Sequence, residues 1–329
     1  MATERRDFLI EVARLHYELG MNQETIAKRF SVSRSTISRA LNEAEALGIV
    51  EVTVTEPAPL EMKLGEAIRD RFGISAQIGM RLVDDSSMVT AARAGARRIE
   101  RLAVGGHQTV AVSWGRTLAI AAHLVRPRRT TGVVIVDAVG HASGKDMAPA
   151  IEVTRTLASA LGAEAVHLPS PAFADSMASL QFLLASPPVE QVLRLARAAD
   201  ATLVSIGVVG EDSLLRSDGL VDAHVMREII ARGAEGEILG HYFDAAGREV
   251  EEPSLFPVGL SLEDLRAARR VIGVAGGAAK ARSVRAAIGG GLIDELIADY
   301  ELGEALLEID ASRQDQVPPF SAAGLADSR

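Results

Sequence analysis

The chain has 329 residues, of which 48 % are hydrophobic, 24 % charged and only 4 % aromatic, with a formal net charge of −9. Such a length suits a small domain joined to a large one, and the composition is that of a globular protein with a core of Ala, Val, Leu and Ile. The acidic balance argues against a protein that coats nucleic acid nonspecifically, and the absence of cysteine excludes disulfides, cysteine nucleophiles and thiolate metal sites.

No apolar run reaches the roughly 18 residues that a membrane span requires. The first twenty residues scatter charges through their apolar positions, unlike a secretory leader. A cytoplasmic protein with no membrane partner is expected, with neither metal nor cofactor.

In chain order, Phe8, Leu9, Val12, Leu15 and Leu19 recur at helical spacing, predicting an amphipathic helix over 5–19 closed by Gly20. Asn22 can cap a second helix that runs to about Phe30, with Glu24 in its first turn where the helix dipole favours an acid. After the turn "SVS", Ser33 can cap a third helix, 34–47, with Ile37, Leu41, Ala44 and Leu47 as its buried stripe. Gly48 ends it, and "IVEVTVTE" alternates as a strand. Two helices, a tight turn, a third helix and a strand make a winged helix-turn-helix. Every charge between Thr25 and Asn42 is positive. Arg34, Ser35, Thr36, Ser38 and Arg39 lie opposite the apolar stripe, at the end of the third helix that enters a major groove. Arginine can pair there with guanine edges, and the hydroxyls of these residues and of Ser33 can reach phosphates or bases. Lys28 and Arg29 would meet the DNA backbone. The plain alternative, a solvated basic face on an ordinary three-helix unit, accounts for the charge but not for the caps, turn and strand together.

The stretch "NQETIAKRFSVSRSTISRALNEAEALGIVEV" resembles the N-terminal module of the SorC family of bacterial transcriptional regulators, notably in "IA", "SRSTISR" and "A…GIV". That family is sugar-responsive and akin to the DeoR-type deoxyribonucleoside regulators. The resemblance implies a DNA-binding regulator.

Pro57 and Pro59 break regular structure and mark a boundary, giving a DNA-binding domain over 1–56. Leu60, Leu64, Ile68 and Phe72 then predict a helix opening a larger domain, 57–310. From there Val/Ile-rich runs that stop at glycine ("TVAVSWG", "GVVIVDAVG", "ATLVSIGVVG", "VIGVAGG") alternate with amphipathic helices. This predicts an α/β domain with a Rossmann-like parallel sheet covered on both faces, whose ligands gather at the carboxyl ends of the strands. The tail, 311–329, is polar, aperiodic and proline-containing, and reads as disordered.

Four loops are candidates for a ligand. "SWGRTLAI" sets Gly115, Arg116 and Thr117 where free helix amides can hold an anion or a hydroxyl-rich molecule. "AVGHASGKD" contributes Gly140, His141 and Ser143, although a lone histidine is commonly a loop residue. Glu237 lies near a glycine turn, followed by a hairpin carrying Asp244 and Gly247. Lys280 sits at a helix start, against the dipole, where a compensating anion would suit it. "VAGG" is not a GxGxxG fingerprint, so no dinucleotide site is read from it.

"AVSWGRTL", "LPSPAF", "ADATLVSIGVVG", "GAEGEILGHYFDAAG" and "VIGVAGGAAKARSVRAAIGGGLIDELIAD" resemble, in order, the effector domain of SorC-type regulators. The resemblance implies a fold related to phosphosugar isomerases and glucosamine-6-phosphate deaminases, a sugar, sugar phosphate or polyol as effector, and oligomer contacts. It points to Gly115, Arg116, Thr117, Glu237 and Lys280 as pocket residues. The chain departs from the family at "DAVGHASG", where phosphosugar-binding members tend to carry a cation and some deoxyribonucleoside regulators a Schiff-base lysine. A monophosphate or uncharged polyol fits better than a doubly phosphorylated ligand.

The expected protein is thus a regulator of a carbohydrate or polyol operon whose partners are operator DNA, a small effector and further copies of itself, as dimer or tetramer. The alternative is a sugar-phosphate isomerase or deaminase fused to a DNA module. Such an enzyme needs an acid or base within reach of substrate, yet the sequence has no HExxH, nucleophile elbow or acid–His pair of recognisable spacing.

Overall fold

The structure is a computed structural model that describes residues 2–50, 59–104, 106–142 and 150–314. The chain divides into two compact units, Met1–Glu56 and Pro57–Arg329.

In the first unit, α1 (Ala2–Ala13) continues through a π-helical turn at Arg14–Glu18. Helix α2 (Gln23–Phe30) begins where the Thr25 amide donates to Asn22 Oδ1 at 2.8 Å. Ser31 turns the chain in the left-handed region, and α3 (Arg34–Ala46) follows. Leu9, Val12, Leu15, Ile26, Ile37, Leu41 and Ala44 form the core, sealed by Phe8 edge-on to Phe30 at 5.3 Å between centroids. Leu19 and Leu47, expected in the buried stripes, are instead 67 % and 63 % exposed. The wide π turn shifts the phase of Leu19, and Leu47 is already the cap residue beyond the last turn of α3. Ile49 and Val50 are not strand: both amides return to the Ala44 carbonyl, and their side chains lean on the core. The rest of the expected wing strand lies outside the described residues.

The second unit runs α4 (Pro59–Phe72), β1 (Ser75–Ile78), α5 (Ser87–Ala103), β2 (Thr109–Val112), α6 (Arg116–Leu124), β3 (Val134–Asp137), α7 (Ala150–Leu161) and β4 (Glu164–Val166). It continues with β5 (Phe173–Ala174), α8 (Met177–Ala185), α9 (Pro187–Arg197), β6 (Ala201–Ser205), α10 (Leu214–Ser217), α11 (Ala223–Ala231), β7 (Ala234–Ile238) and β8 (His241–Asp244). The last elements are β9 (Phe256–Pro257), α12 (Leu262–Ala267), β10 (Val271–Val274), α13 (Ala281–Gly289), β11 (Glu295–Ala298) and α14 (Tyr300–Gln314). Helix α14 carries the chain through residues 311–314, which the sequence reading gave to the disordered tail; the remainder of that tail lies outside the described residues.

Seven strands form one sheet in the order β1-β11-β10-β6-β2-β3-β4, with every pairing parallel. The Rossmann-like parallel sheet expected from the apolar runs is therefore present. Alternation along each strand fills two apolar layers: Val110, Val112, Ile135, Leu203 and Ile272 face one, and Ala111, Val136, Val204, Val271 and Leu296 the other. A strand buried on both faces has no polar period, which is why these read as continuous hydrophobic runs. Strand order reverses between β2 and β6: the chain builds outward to β4, then returns to the far side of β2. Such a switch point opens a crevice beyond the carboxyl ends of the two strands.

Candidate functional site

The recognition helix is built by its caps. Ser33 Oγ accepts the Thr36 amide at 3.1 Å and sits 2.8 Å from both the Ser35 and Thr36 hydroxyls. That fixes the first turn of α3, so Ser33 acts chiefly as a cap. Lys28, Arg29, Arg34, Ser35 and Arg39 are exposed, while Thr36 and Ser38 are partly covered. Arg39 is steadied by its Nε donating to the Ser35 carbonyl at 3.3 Å, and Lys28 pairs with Glu24 at 3.2 Å. All eight residues named from the sequence fall on one short stretch, with the exposed side chain of Arg34 at the helix start.

In the second unit, the crevice at the β2/β6 switch point is a cleft of about 160 Å³ lined among others by Trp114, Gly115, Arg116, Thr117, Ser205, Gly207, Asp212, Glu237 and Lys280. Gly115 caps α6 with φ 129° and no side chain to occupy the helix amides. A Cβ at Gly115 would come within 2.4 Å of Ser205 Oγ, so only glycine lets β2 and β6 approach there. The Ser205 hydroxyl is buried and has no hydrogen-bond partner among the described residues. It lies at the start of a helix whose first amides no side chain caps.

Glu237 comes from β7, in the β7–β8 hairpin. Its amide and carbonyl bond reciprocally with Gly207 at 3.1 and 2.8 Å, and its Oε1 accepts the Gly240 amide at 2.5 Å. Burial pushes the Glu237 carboxyl up to about 7, against the opposing pull of the Gly240 amide, His241 and Lys280. Lys280 ends a short 3₁₀ turn and caps α13. Burial, then the Arg116 charge, brings its ammonium down to about 8, with Glu237 opposing. The cleft thus brings together an uncapped helix start, the cations Arg116 and Lys280, and the carboxyl of Glu237. Chemically, such a set is suited to hydroxyls with an anion beside them.

Gly140 and His141 are not among the residues lining this cleft. The Gly140 amide donates to the Val258 carbonyl at 2.8 Å. His141 Nε2 lies 3.8 Å from Asp137 Oδ2, the same oxygen that His167 Nδ1 meets at 3.2 Å and the Leu168 amide at 3.0 Å. Asp137 is fully buried, and Thr154 Oγ1 donates to its other oxygen at 2.5 Å. His141 thus lies beside this buried carboxylate but outside hydrogen-bond distance of it. Ser143, named with it, lies outside the described residues.

Residues 57–308 match the family model described as "Putative sugar-binding domain", and residues 7–50 match a helix-turn-helix domain. The chain belongs to the SorC family of sugar-binding transcriptional regulators. It is 28 % identical to the deoxyribonucleoside regulator of Bacillus subtilis, over 93 % of this chain and 99 % of that one. It is equally identical to the erythritol catabolism regulatory protein EryD of Brucella abortus, over 93 % and 98 % of the two chains. Among solved structures, the full-length sorbitol operon regulator SorC of Klebsiella pneumoniae shares the fold at a TM-score of 0.68, with 23 % identity over 93 % of this chain and 99 % of that one. These relatives are regulators, and this regulator is likewise not an enzyme.

Sequence reasoning missed Trp114, Ser205, Gly207 and Asp212 in the cleft. Strand β6 ends at Ser205, inside the run "ATLVSIGVVG" that the sequence closed at its last glycine, and Ser205 gave no signal of its own, because a serine closing a buried strand reads as ordinary. The lone tryptophan was visible, but its place beside Glu237 depends on the hairpin.

Proposed function

We propose that the regulator reads a two-fold operator through Arg34, Ser35, Thr36, Ser38 and Arg39, with Lys28 and Arg29 on phosphates. In the cleft at the β2/β6 switch it takes a small polyhydroxylated effector, a sugar or polyol or its monophosphate. The amides of Arg116 and Thr117, with Lys280, hold the phosphate or a terminal hydroxyl; Glu237 accepts the hydroxyls, and Ser205 adds one contact. The observation that carries this reading is the meeting of an uncapped helix start, Lys280 and Glu237 in one cleft. The printed names of the relatives, a deoxyribonucleoside regulator and an erythritol catabolism regulator, support an effector of that class. The regulator acts in the cytoplasm as a homo-oligomer, because one helix-turn-helix covers only a half-site. Any effector that favours one DNA affinity over another is itself bound differently by the two states.

The test is a thermal-shift screen of the full chain against sugars, polyols and their phosphates, repeated with Lys280→Ala. A ligand that raises the melting temperature by mass action in the parent but not in the variant supports the reading. A ligand bound equally by both removes Lys280 from the site.

A further inference from the structure

Arginines gather at one end of the large unit. Arg93, Arg97, Arg98 and Arg101 lie on α5, and Arg126, Arg128 and Arg129 on the loop that leaves α6; Glu100 is the one acid within 93–101 and 126–129. The Arg126 amide donates to Glu100 Oε1 at 2.8 Å, and Arg128 Nη2 lies 3.7 Å from Glu100 Oε2, so the loop is seated against the last turns of α5. Both stretches lead into the amino ends of β2 and β3, the end of the sheet away from the cleft. Arg93 pairs with Asp85 at 3.1 Å, Arg98 with Glu295 at 2.7 Å, and Arg101 reaches Gln77. Arg97, Arg126 and Arg129 form no ion pair among the described residues, and the buried Nε of Arg128 has no hydrogen-bond partner there. Burial first, then the charges of Arg93, Arg126 and Arg101, hold the Arg97 guanidinium below its ordinary value, with Glu100 opposing. Like charges gathered in this way cost the fold energy unless an anion meets them. A helix C-terminus favours cations in its last turn, which accounts for Arg101 and Arg126 but not for Arg97 or Arg129.

We propose that this arginine ridge holds the phosphate backbone of the duplex flanking the operator, a sequence-independent contact that supplements the recognition helix. The proposal rests on the operator reading above. Charge selects the partner. A chain of net charge −9 repels nucleic acid over most of its surface, and residues 1–56 carry seven Lys and Arg against nine Asp and Glu. The recognition helix therefore gains no net attraction for phosphate from its own domain, and a cationic ridge on the large unit supplies it. Arg101, Arg126 and Arg129 are exposed, and guanidiniums spread over a helix and a loop match the repeated phosphates of a duplex. Ile99, Leu102 and Ala103 of α5 are buried in the core, so these turns keep no apolar side for the lipid surface that a basic helix could otherwise meet.

The test uses the full chain and an operator that it selects from a pool of random duplexes, placed in a short duplex and in one extended by several helical turns on each side. Binding is titrated across a range of salt for the parent, for Arg126→Gln with Arg129→Gln, and for Arg126→Lys with Arg129→Lys. Both side chains are exposed, so the melting curve is expected to stay put. On the extended duplex the Gln pair is expected to bind about tenfold more weakly, with the slope of log affinity against log salt shallower by about 2. The Lys pair keeps the charge and is expected to keep the parent's slope. On the short duplex all three proteins are expected to bind alike. An unchanged slope in the Gln pair, an equal loss on both duplexes, or a Lys pair as weak as the Gln pair would overturn the proposal and leave the operator reading standing. A parent that selects no sequence at all would overturn both.

Discussion

Glu237 and Lys280 enter one cleft from a hairpin and a helix start, and burial drives their ionisations toward each other, the carboxyl up to about 7 and the ammonium down to about 8. Each group is costly to keep charged without a ligand, and each is suited to one that brings hydroxyls or an anion.

The first prediction concerns stability. Glu237 has its ordinary value, 4.5, raised to about 7, so its stabilising contribution is complete below pH 4.5 and is lost as pH rises through about 7. Glu237→Gln removes the titration and keeps an oxygen for the Gly240 amide. The variant is expected to exceed the parent in stability above pH 7, by up to about 3 kcal/mol, and to match it below pH 4.5. Melting curves across that window would show the gap opening; a constant gap would mean that Glu237 does not titrate there.

Lys280 runs in the opposite sense. Its value falls from 10.5 to about 8, so its contribution is present above pH 10.5 and is lost as pH falls through about 8. Near neutrality Lys280→Met is expected to raise stability by up to about 3 kcal/mol while the effector response disappears. Gains in stability joined to loss of function are the mark of a residue kept for binding. A variant less stable than the parent would show that Lys280 is held by partners of its own.

Gly207→Ala tests the geometry of Glu237. The added Cβ would stand 2.4 Å from Glu237 Oε2, at the far end of a side chain, so the fold is expected to survive with the carboxyl displaced from its bond to the Gly240 amide. The effector midpoint in an operator-binding titration is expected to rise by tenfold or more, about 1.4 kcal/mol, with effector-free DNA affinity unchanged. An unmoved midpoint would take Glu237 out of the site.

Arg34→Ala is expected to weaken specific operator binding by about 1–3 kcal/mol and to leave the melting curve alone, because the side chain is exposed. Measured against operators altered base by base, the loss should concentrate at one position of each half-site. A uniform loss across all sequences would assign Arg34 to phosphate.

His141→Ala separates the Asp137 cluster from the cleft. His141 Nε2 lies 3.8 Å from Asp137 Oδ2, beyond hydrogen-bond reach, and its removal is expected to leave the effector midpoint where it was. A shifted midpoint would restore His141 to the effector site.

The recognition helix was legible in advance because its determinants are local. Asn22 and Ser33 cap their own helices, and the side chains proposed to face DNA follow within a few residues of the cap. The parallel sheet was legible for a related reason, since strands buried on both faces must be apolar throughout. Leu19 and Leu47 were misplaced where that local logic ends, at a π turn and at a helix cap. Strand β1 was missed altogether, because "SAQI" at the sheet edge carries no apolar run.

The cleft at the β2/β6 switch point divides along the same line. By itself the sequence determined where the strands stop, and hence that Gly115 and Lys280 start helices and Glu237 precedes a glycine turn, for glycine permits backbone that other residues resist. Only the tertiary structure decided that β2 and β6 are neighbours, that Ser205 faces Gly115, and that Glu237 reaches over Gly207 while His141 turns to Asp137. Those pairings join residues about 30 to 90 positions apart except for His141 with Asp137. They follow from the strand order of the sheet, a property of the packed chain that no local pattern encodes.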